Sequence, residues 1–127
     1  MGLILDLAPG RFAVVRLDPD AAVPDWAGGE IVSITRTSEE LSILCSEERA
    51  PADVPGQRGF RCLRVRGPLA FSEVGILASL AAPLAMAPVP VFVVSTHDTD
   101  SLFVADTDLG RAREALEEAG HRVEDVW

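Results

Sequence analysis

The sequence predicts an α+β fold built from two βαββαβ units in tandem, the first of them degenerate. Three observations carry that expectation. The 127 residues are 48% hydrophobic and 24% charged, the balance of a globular chain with one domain or two very small ones. From Phe60 onward, short β-branched or aromatic runs alternate with two helical-period segments, in the order strand, helix, strand, strand, helix, strand. A shift of about 61 places also lays Thr35 on Thr96, Glu39 on Asp100, Leu41 on Leu102 and Ile43 on Val104, the mark of a degenerate repeat.

The elements follow in order. Leu3 to Leu7 reads as an edge strand and Phe12 to Leu17 as a strand. Pro24 to Ala27 is at most one helical turn, and Glu30 to Thr35 and Leu41 to Cys45 are two further strands. Ala50 to Gly59, with two prolines and two glycines, reads as a linker, which divides the chain into residues 1–58 and 59–127. Phe60 to Arg66 alternates apolar residues with Arg61, Arg64 and Arg66, with one slip, as a half-buried strand does. After a turn at Gly67 to Ala70, Ser72 is an N-cap, Glu73 sits in the first helical turn, and Phe71 and Ile76 have the spacing of a hydrophobic staple. Leu77, Leu80, Ala81 and Leu84 give that helix one apolar face, and Pro83 is expected to bend it or end it early. Val91 to Val94, apolar on both faces, reads as a central strand, joined through polar Ser95 to Asp100 to a strand at Leu102 to Ala105. Asp106 to Asp108 caps a helix with Leu109, Ala112, Leu116 and Ala119 on one face. Gly120 ends it, and His121 to Val126 is a short strand. The C-terminal half thus has the split βαβ, ferredoxin-like order. The first half is an eroded copy, with the two antiparallel sheets expected side by side.

Charge and composition exclude much. Eleven basic residues against 20 acidic ones leave a net charge of −9, so nucleic acid and acidic membrane surfaces are poor partners. All 11 basic residues are Arg, and Lys, Tyr and Asn are absent, which removes Schiff-base and phosphate-loop lysine chemistry; the bias fits a GC-rich genome. Cys45 and Cys62 lie in apolar contexts without CxxC spacing, as buried free thiols of a cytoplasmic protein do. No signal peptide is evident at Met1 to Asp6, and Gly75 to Val94, interrupted by Pro83, Pro88 and Pro90, reads as helix, turn and strand rather than a membrane span.

No enzyme site emerges. His97 and His121 lack a Cys or second His at metal-ligand spacing. The acidic pairs Asp98/Asp100 and Asp106/Asp108 have Phe103 where a calcium loop needs Gly, and no Glu at its twelfth place. Ser95, His97 and Asp98 are neighbours on a hairpin and cannot point at one another as a catalytic triad requires. An RNA-recognition sheet would need aromatics on a basic face, and this acidic chain has five Phe and two Trp. No metal or cofactor is expected. What remains is binding. Glu73, Val74, Gly75 and Ile76 at a helix start offer main-chain N–H groups at the positive end of a dipole, a receptor for a carboxylate. Gly75 reflects either a ligand approaching the backbone or close packing of helix on sheet. Glu73 suits an ammonium or guanidinium. Ser95-Thr96-His97-Asp98-Thr99-Asp100 adds hydroxyls and acceptors on the adjacent strand, or is simply a solvated turn.

Phe71 to Leu77, Ala82-Pro83-Leu84-Ala85 and Pro90 to Asp100 together resemble an ACT domain. More narrowly, they resemble the branch shared by small bacterial tandem-ACT proteins and the eukaryotic cytosolic arginine sensors, related to aspartate kinase regulatory domains. Pro9 to Val14, Ser33 to Thr37 and Leu41 to Cys45 look like the first module of those bacterial proteins. In such proteins amino acids bind between modules. The resemblance therefore implies Gly75 and Ile76 as main-chain contacts to a ligand carboxylate, and Glu73, Thr96 and Asp100 as polar contacts, with Val74, Ser95 and His97 beside them. His97 stands where an aromatic or apolar residue is common, and Pro88 where Gly is usual. Ser33, Thr35 and Glu39 are the loosely matching places in the first module. The expected function is non-catalytic sensing of a free amino acid, with a homodimer or a regulated enzyme or transporter as the output. The alternative is a constitutive protein–protein module with a vestigial pocket.

Overall fold

The computed structural model describes residues 2–70 and 74–125. Its elements run β1 (Ile4–Leu7), β2 (Phe12–Leu17), β3 (Ser33–Arg36), β4 (Leu41–Ser46), β5 (Gly56–Val65), α1 (Ile76–Met86), β6 (Phe92–Ser95), β7 (Asp100–Ala105), α2 (Leu109–Glu118) and β8 (Arg122–Glu124), with single 3-10 turns at Glu47–Arg49 and Asp106–Asp108. Contacts divide the chain into two units. One is Gly10–Phe60; the other joins everything from Arg61 to the first nine residues. The division falls two residues beyond the expected 58/59 boundary and moves the N-terminal strand across it.

The reason is β1. It pairs antiparallel with β5 (Leu5 opposite Val65) and parallel with β8 (Leu5 opposite Val123). It is therefore an interior strand of the C-terminal unit and not the edge strand expected. The C-terminal sheet has the order β6-β7-β5-β1-β8, a βαββαβ unit with β1 inserted between its first and last strands. β6 and β7 form an antiparallel hairpin with Val93 opposite Leu102 and Ser95 opposite Asp100. Leu63 and Val65 on β5, Leu102 and Val104 on β7, and Leu5 and Val123 present one buried face, as the period of two requires. Leu80 and Leu84, one turn apart on α1, and Ala112 and Leu116, one turn apart on α2, fill that face from the helices. Burial pushes the Cys62 thiol up to about 12, so it is an inert core residue. Cys45 is likewise buried and free.

α1 departs from expectation at both ends. It begins at Ile76, with Gly75 as N-cap at φ +84°, and runs through Pro83 to Met86. The N-cap and staple assigned to Ser72 and Phe71 fall outside the described residues. A side chain at Gly75 would meet no described protein atom within 4 Å, so close packing of helix on sheet does not explain the glycine. Its left-handed backbone does.

In the N-terminal unit, β2 pairs with β4 over its whole length, β3 lies outside β4, and the first half of β5 lies on the other side of β2. Ala13 and Val15 on β2 and Leu41, Ile43 and Cys45 on β4 form its core, covered by Trp26 and Val54. Gly56 to Gly59, expected as linker, belongs to β5; polar, glycine-rich sequence conceals a strand whose pairing is almost all main-chain. Pro24 to Ala27 is a turn closed by the Ala27 N–H on the Pro24 carbonyl at 3.2 Å, and no α-helix occurs among this unit's described residues.

Hairpin register also revises the repeat. Four residues, 37–40, separate the end pair Arg36/Leu41 in the first hairpin, and four, 96–99, separate Ser95/Asp100 in the second. Thr37 therefore corresponds to Thr96, and Arg36 and Leu41 to Ser95 and Asp100. The sequence match was two places out. A slip of two preserves the in-and-out alternation of a strand, which is why the apolar residues still aligned.

Candidate functional site

Three features of the C-terminal unit meet at one concavity of about 190 Å³. Leu69 and Ala70 contribute from the turn after β5, Ile76 from the first turn of α1, and Ser95 to Asp100 from the end of β6 and the turn into β7. The structure brings together Ile76, Ser95, Thr96, His97 and Asp100, all expected from sequence. Gly75 caps the adjoining helix but does not line the cavity. Val74 is 89% exposed, and Glu73 lies outside the described residues. Leu69, Ala70, Asp98 and Thr99 also line the cavity, the last two within the polar segment 95–100.

The polar wall is held by a compact hydrogen-bond set. The Thr96 N–H donates to the Thr99 carbonyl at 2.8 Å, and the Thr99 N–H donates to Thr96 Oγ1 at 3.3 Å, closing the turn. Thr99 Oγ1 donates to the Val65 carbonyl at 2.6 Å and the Leu69 N–H to the Asp98 carbonyl at 2.7 Å, tying the turn to β5 and the segment after it. A side chain at Gly67 would stand 3.1 Å from that same Asp98 carbonyl, so this closure favours a glycine. Ser95 Oγ donates to Asp100 Oδ1 at 2.6 Å across the mouth of the hairpin. His97 Nδ1 lies 2.9 Å from Asp98 Oδ1, with both side chains largely exposed. Ser95 to Asp98 are exposed, as in the expected alternative of a solvated turn, while two hydrogen bonds tie the segment to β5 and residue 69.

At the other wall, the first intrahelical bond of α1 is the Ser79 N–H to the Gly75 carbonyl, 2.9 Å. The N–H groups of Ile76, Leu77 and Ala78 precede it at the open end of the helix, where main-chain donors lack an intrahelical partner. They form the positive end of the helix dipole. The cavity thus sets the positive end of α1, represented in its lining by Ile76, against the carboxylates of Asp98 and Asp100, with no arginine among its described lining residues. The first hairpin has no such arrangement. Its Thr37 Oγ1 accepts from the N–H groups of Glu39 and Glu40, but Arg36 and Leu41 replace the serine and aspartate, and Arg36 is spent on the carbonyls of Pro19 and Ala21. In the hairpin register Ser33 and Thr35 correspond to Phe92 and Val94, which do not line the cavity, and Glu39 corresponds to Asp98. No group of three or more metal-ligating side chains occurs among the described residues, and no helix among them is long and apolar enough to cross a membrane.

Comparison with known proteins places this architecture. A family model for the ACT domain matches residues 56–118, and a second, describing an N-terminal domain, matches residues 10–53. A protein of Agobacterium tumefaciens known from its crystal structure is 41% identical, with a TM-score of 0.93 over 100% of this chain and 96% of that one. The human cytosolic arginine sensor for mTORC1 subunit 1 is 37% identical over 59 residues, which are 46% of this chain and only 18% of the sensor's length. The regulatory subunit of aspartate kinase from Thermus flavus shares the fold alone, at 12% identity and a TM-score of 0.58 over 94% of this chain and 97% of that one. With one relative matched at 41% identity along the whole chain and the βαββαβ unit matched by its own model, the chain belongs to the ACT domain family.

Proposed function

We propose that the protein is a non-catalytic regulatory module that binds a free amino acid in the cavity between the start of α1 and residues 95–100. The observation that supports this is the opposed polarity of the two walls. The N–H group of Ile76, which lines the cavity, and that of Gly75 beside it at the helix start receive the carboxylate. Thr96 and Asp100 face the ammonium or side chain, with Val74, Ser95 and His97 nearby; Glu73 joins this set from the sequence alone. The acidic lining favours a zwitterionic or cationic amino acid over aspartate or glutamate. Relatives whose names record arginine sensing and aspartate kinase regulation agree with this reading. The output is a change in dimer or partner geometry, driven by the ligand's differential affinity for two arrangements. A homodimer is the assembly this reading expects, an enzyme or transporter receives the signal, and the protein works in the cytoplasm.

A thermal-shift screen against the twenty amino acids tests this. At about a hundred-fold over the dissociation constant, a specific ligand adds roughly 2.7 kcal/mol of apparent stability, several degrees for a chain of this size. One or two related amino acids should respond. One feature favours the second reading, a constitutive interaction module. α1 carries no charged side chain, and Leu77 and Met86 (87% exposed) face outward with Val74. A flat screen would transfer the assignment to that face.

A further inference from the structure

His121 is one of two buried polar or charged side chains among the described residues, 5% exposed, at the junction of α2 and β8. Both ring nitrogens are engaged. Nδ1 lies 3.1 Å from the Leu3 main-chain nitrogen, and Nε2 lies 3.0 Å from the Ser79 carbonyl oxygen in the middle of α1. An amide can only donate and a carbonyl only accept, so the imidazole carries its proton on Nε2 and accepts at Nδ1.

The Ser79 carbonyl has a particular need of that donor. In an α-helix it would accept from the N–H four residues on, and that residue is Pro83, which has none. The proline ring also crowds the carbonyl one turn back. Here that carbonyl meets the imidazole. Ser79 is in turn bound to the start of the helix, its N–H on the Gly75 carbonyl at 2.9 Å and its Oγ on the Ile76 carbonyl at 2.7 Å. Ile76 lines the cavity.

We infer that His121 is a positioning residue for the cavity: it supplies to α1 the hydrogen-bond donor that Pro83 withholds and, with its other ring nitrogen on the Leu3 N–H, ties the helix to the residue before β1. Its value as a ligand-site residue rests on the amino-acid reading above, whereas the pairing with Pro83 does not. The two are separable by experiment.

The pairing is tested in the full chain by a double-mutant cycle in urea with His121→Phe and Pro83→Ala. His121→Phe keeps the ring volume, strands the part-buried Ser79 carbonyl and Leu3 N–H and lowers the folding constant by about five- to a hundred-fold. Pro83→Ala restores an N–H to Ser79, so it should raise the folding constant several-fold more in the His121→Phe background than in the native one. Additivity within about two-fold overturns the pairing. Ring nitrogen chemical shifts give an independent check that needs no variant: the proton belongs on Nε2, and an Nδ1–H tautomer overturns the assignment. For positioning, the midpoint shift given by a responding amino acid should shrink in His121→Phe and return in the double variant. A full shift in a destabilised His121→Phe shows a structural role only. If no amino acid shifts the native chain, the ligand reading and the positioning role fall together, and the cycle still decides the pairing.

Discussion

Asp100→Ala is expected to remove the whole ligand-dependent stabilisation while leaving the protein folded. Asp100 is half-buried at the start of β7, and its one hydrogen bond among those described is accepted from Ser95 Oγ at 2.6 Å, in an exposed setting. Loss of such a bond costs the fold about 1 kcal/mol. Loss of the carboxylate facing a bound ammonium or guanidinium is a different matter, since charge-assisted hydrogen bonds are roughly twice as strong as neutral ones. The roughly 2.7 kcal/mol gained at a hundred-fold ligand excess should fall to near zero, read as a midpoint that no longer moves with added amino acid. A variant that still responds fully would remove Asp100 from the site. Asp100→Asn, which keeps the bond from Ser95 but not the charge, separates charge from shape.

The largest effect on the fold is expected from Leu80→Ala. Leu80 is fully buried and packs in the cluster that joins α1 to β1, β5 and β7. Truncation loses the transfer energy of the deleted methyl groups and leaves a cavity, together about 2–5 kcal/mol. Met86→Ala, on the same helix but 87% exposed, should change stability by less than about 0.5 kcal/mol. Urea midpoints of the two variants measure the contrast directly. A substantial loss at Met86 would instead mean that the outer face of α1 is covered in solution.

Local pattern revealed those elements whose burial is written in their own residues. β2 matches its sequence range because Phe12 to Leu17 is mostly apolar, and α2 starts directly after Asp108, which makes no side-chain capping bond, and ends before Gly120. Patterns that depend on a remote partner were not legible. Nothing in Ile4 to Leu7 tells that β8, at the far end of the chain, lies alongside it in parallel. Gly56 to Gly59 has too little apolar content to show a strand that is held by β2. The start of α1 was misplaced because the staple spacing of Phe71 and Ile76 is a local cue, whereas the positive φ of Gly75, which puts the helix start at Ile76, is not readable from residue type alone. The polar residues of 95–100 were legible as a set because six consecutive polar side chains interrupt two apolar strands. Their cohesion was not, since it comes from main-chain groups of β5 and residue 69. The partnership of Pro83 with His121 was hidden for the same reason. Read along the chain, one looks like a helix breaker and the other like a solitary histidine.

The most direct measurement is a titration of the labelled protein with the amino acid that raises its midpoint most, followed by backbone amide shifts. Binding in the cavity predicts saturable changes concentrated at residues 75–77 and 95–100, with the N–H groups of Gly75 and Ile76 among the largest, and little change in residues 33–41 of the first hairpin. Perturbations centred on that first hairpin, or on the outer face of α1 with residues 95–100 unmoved, would contradict it.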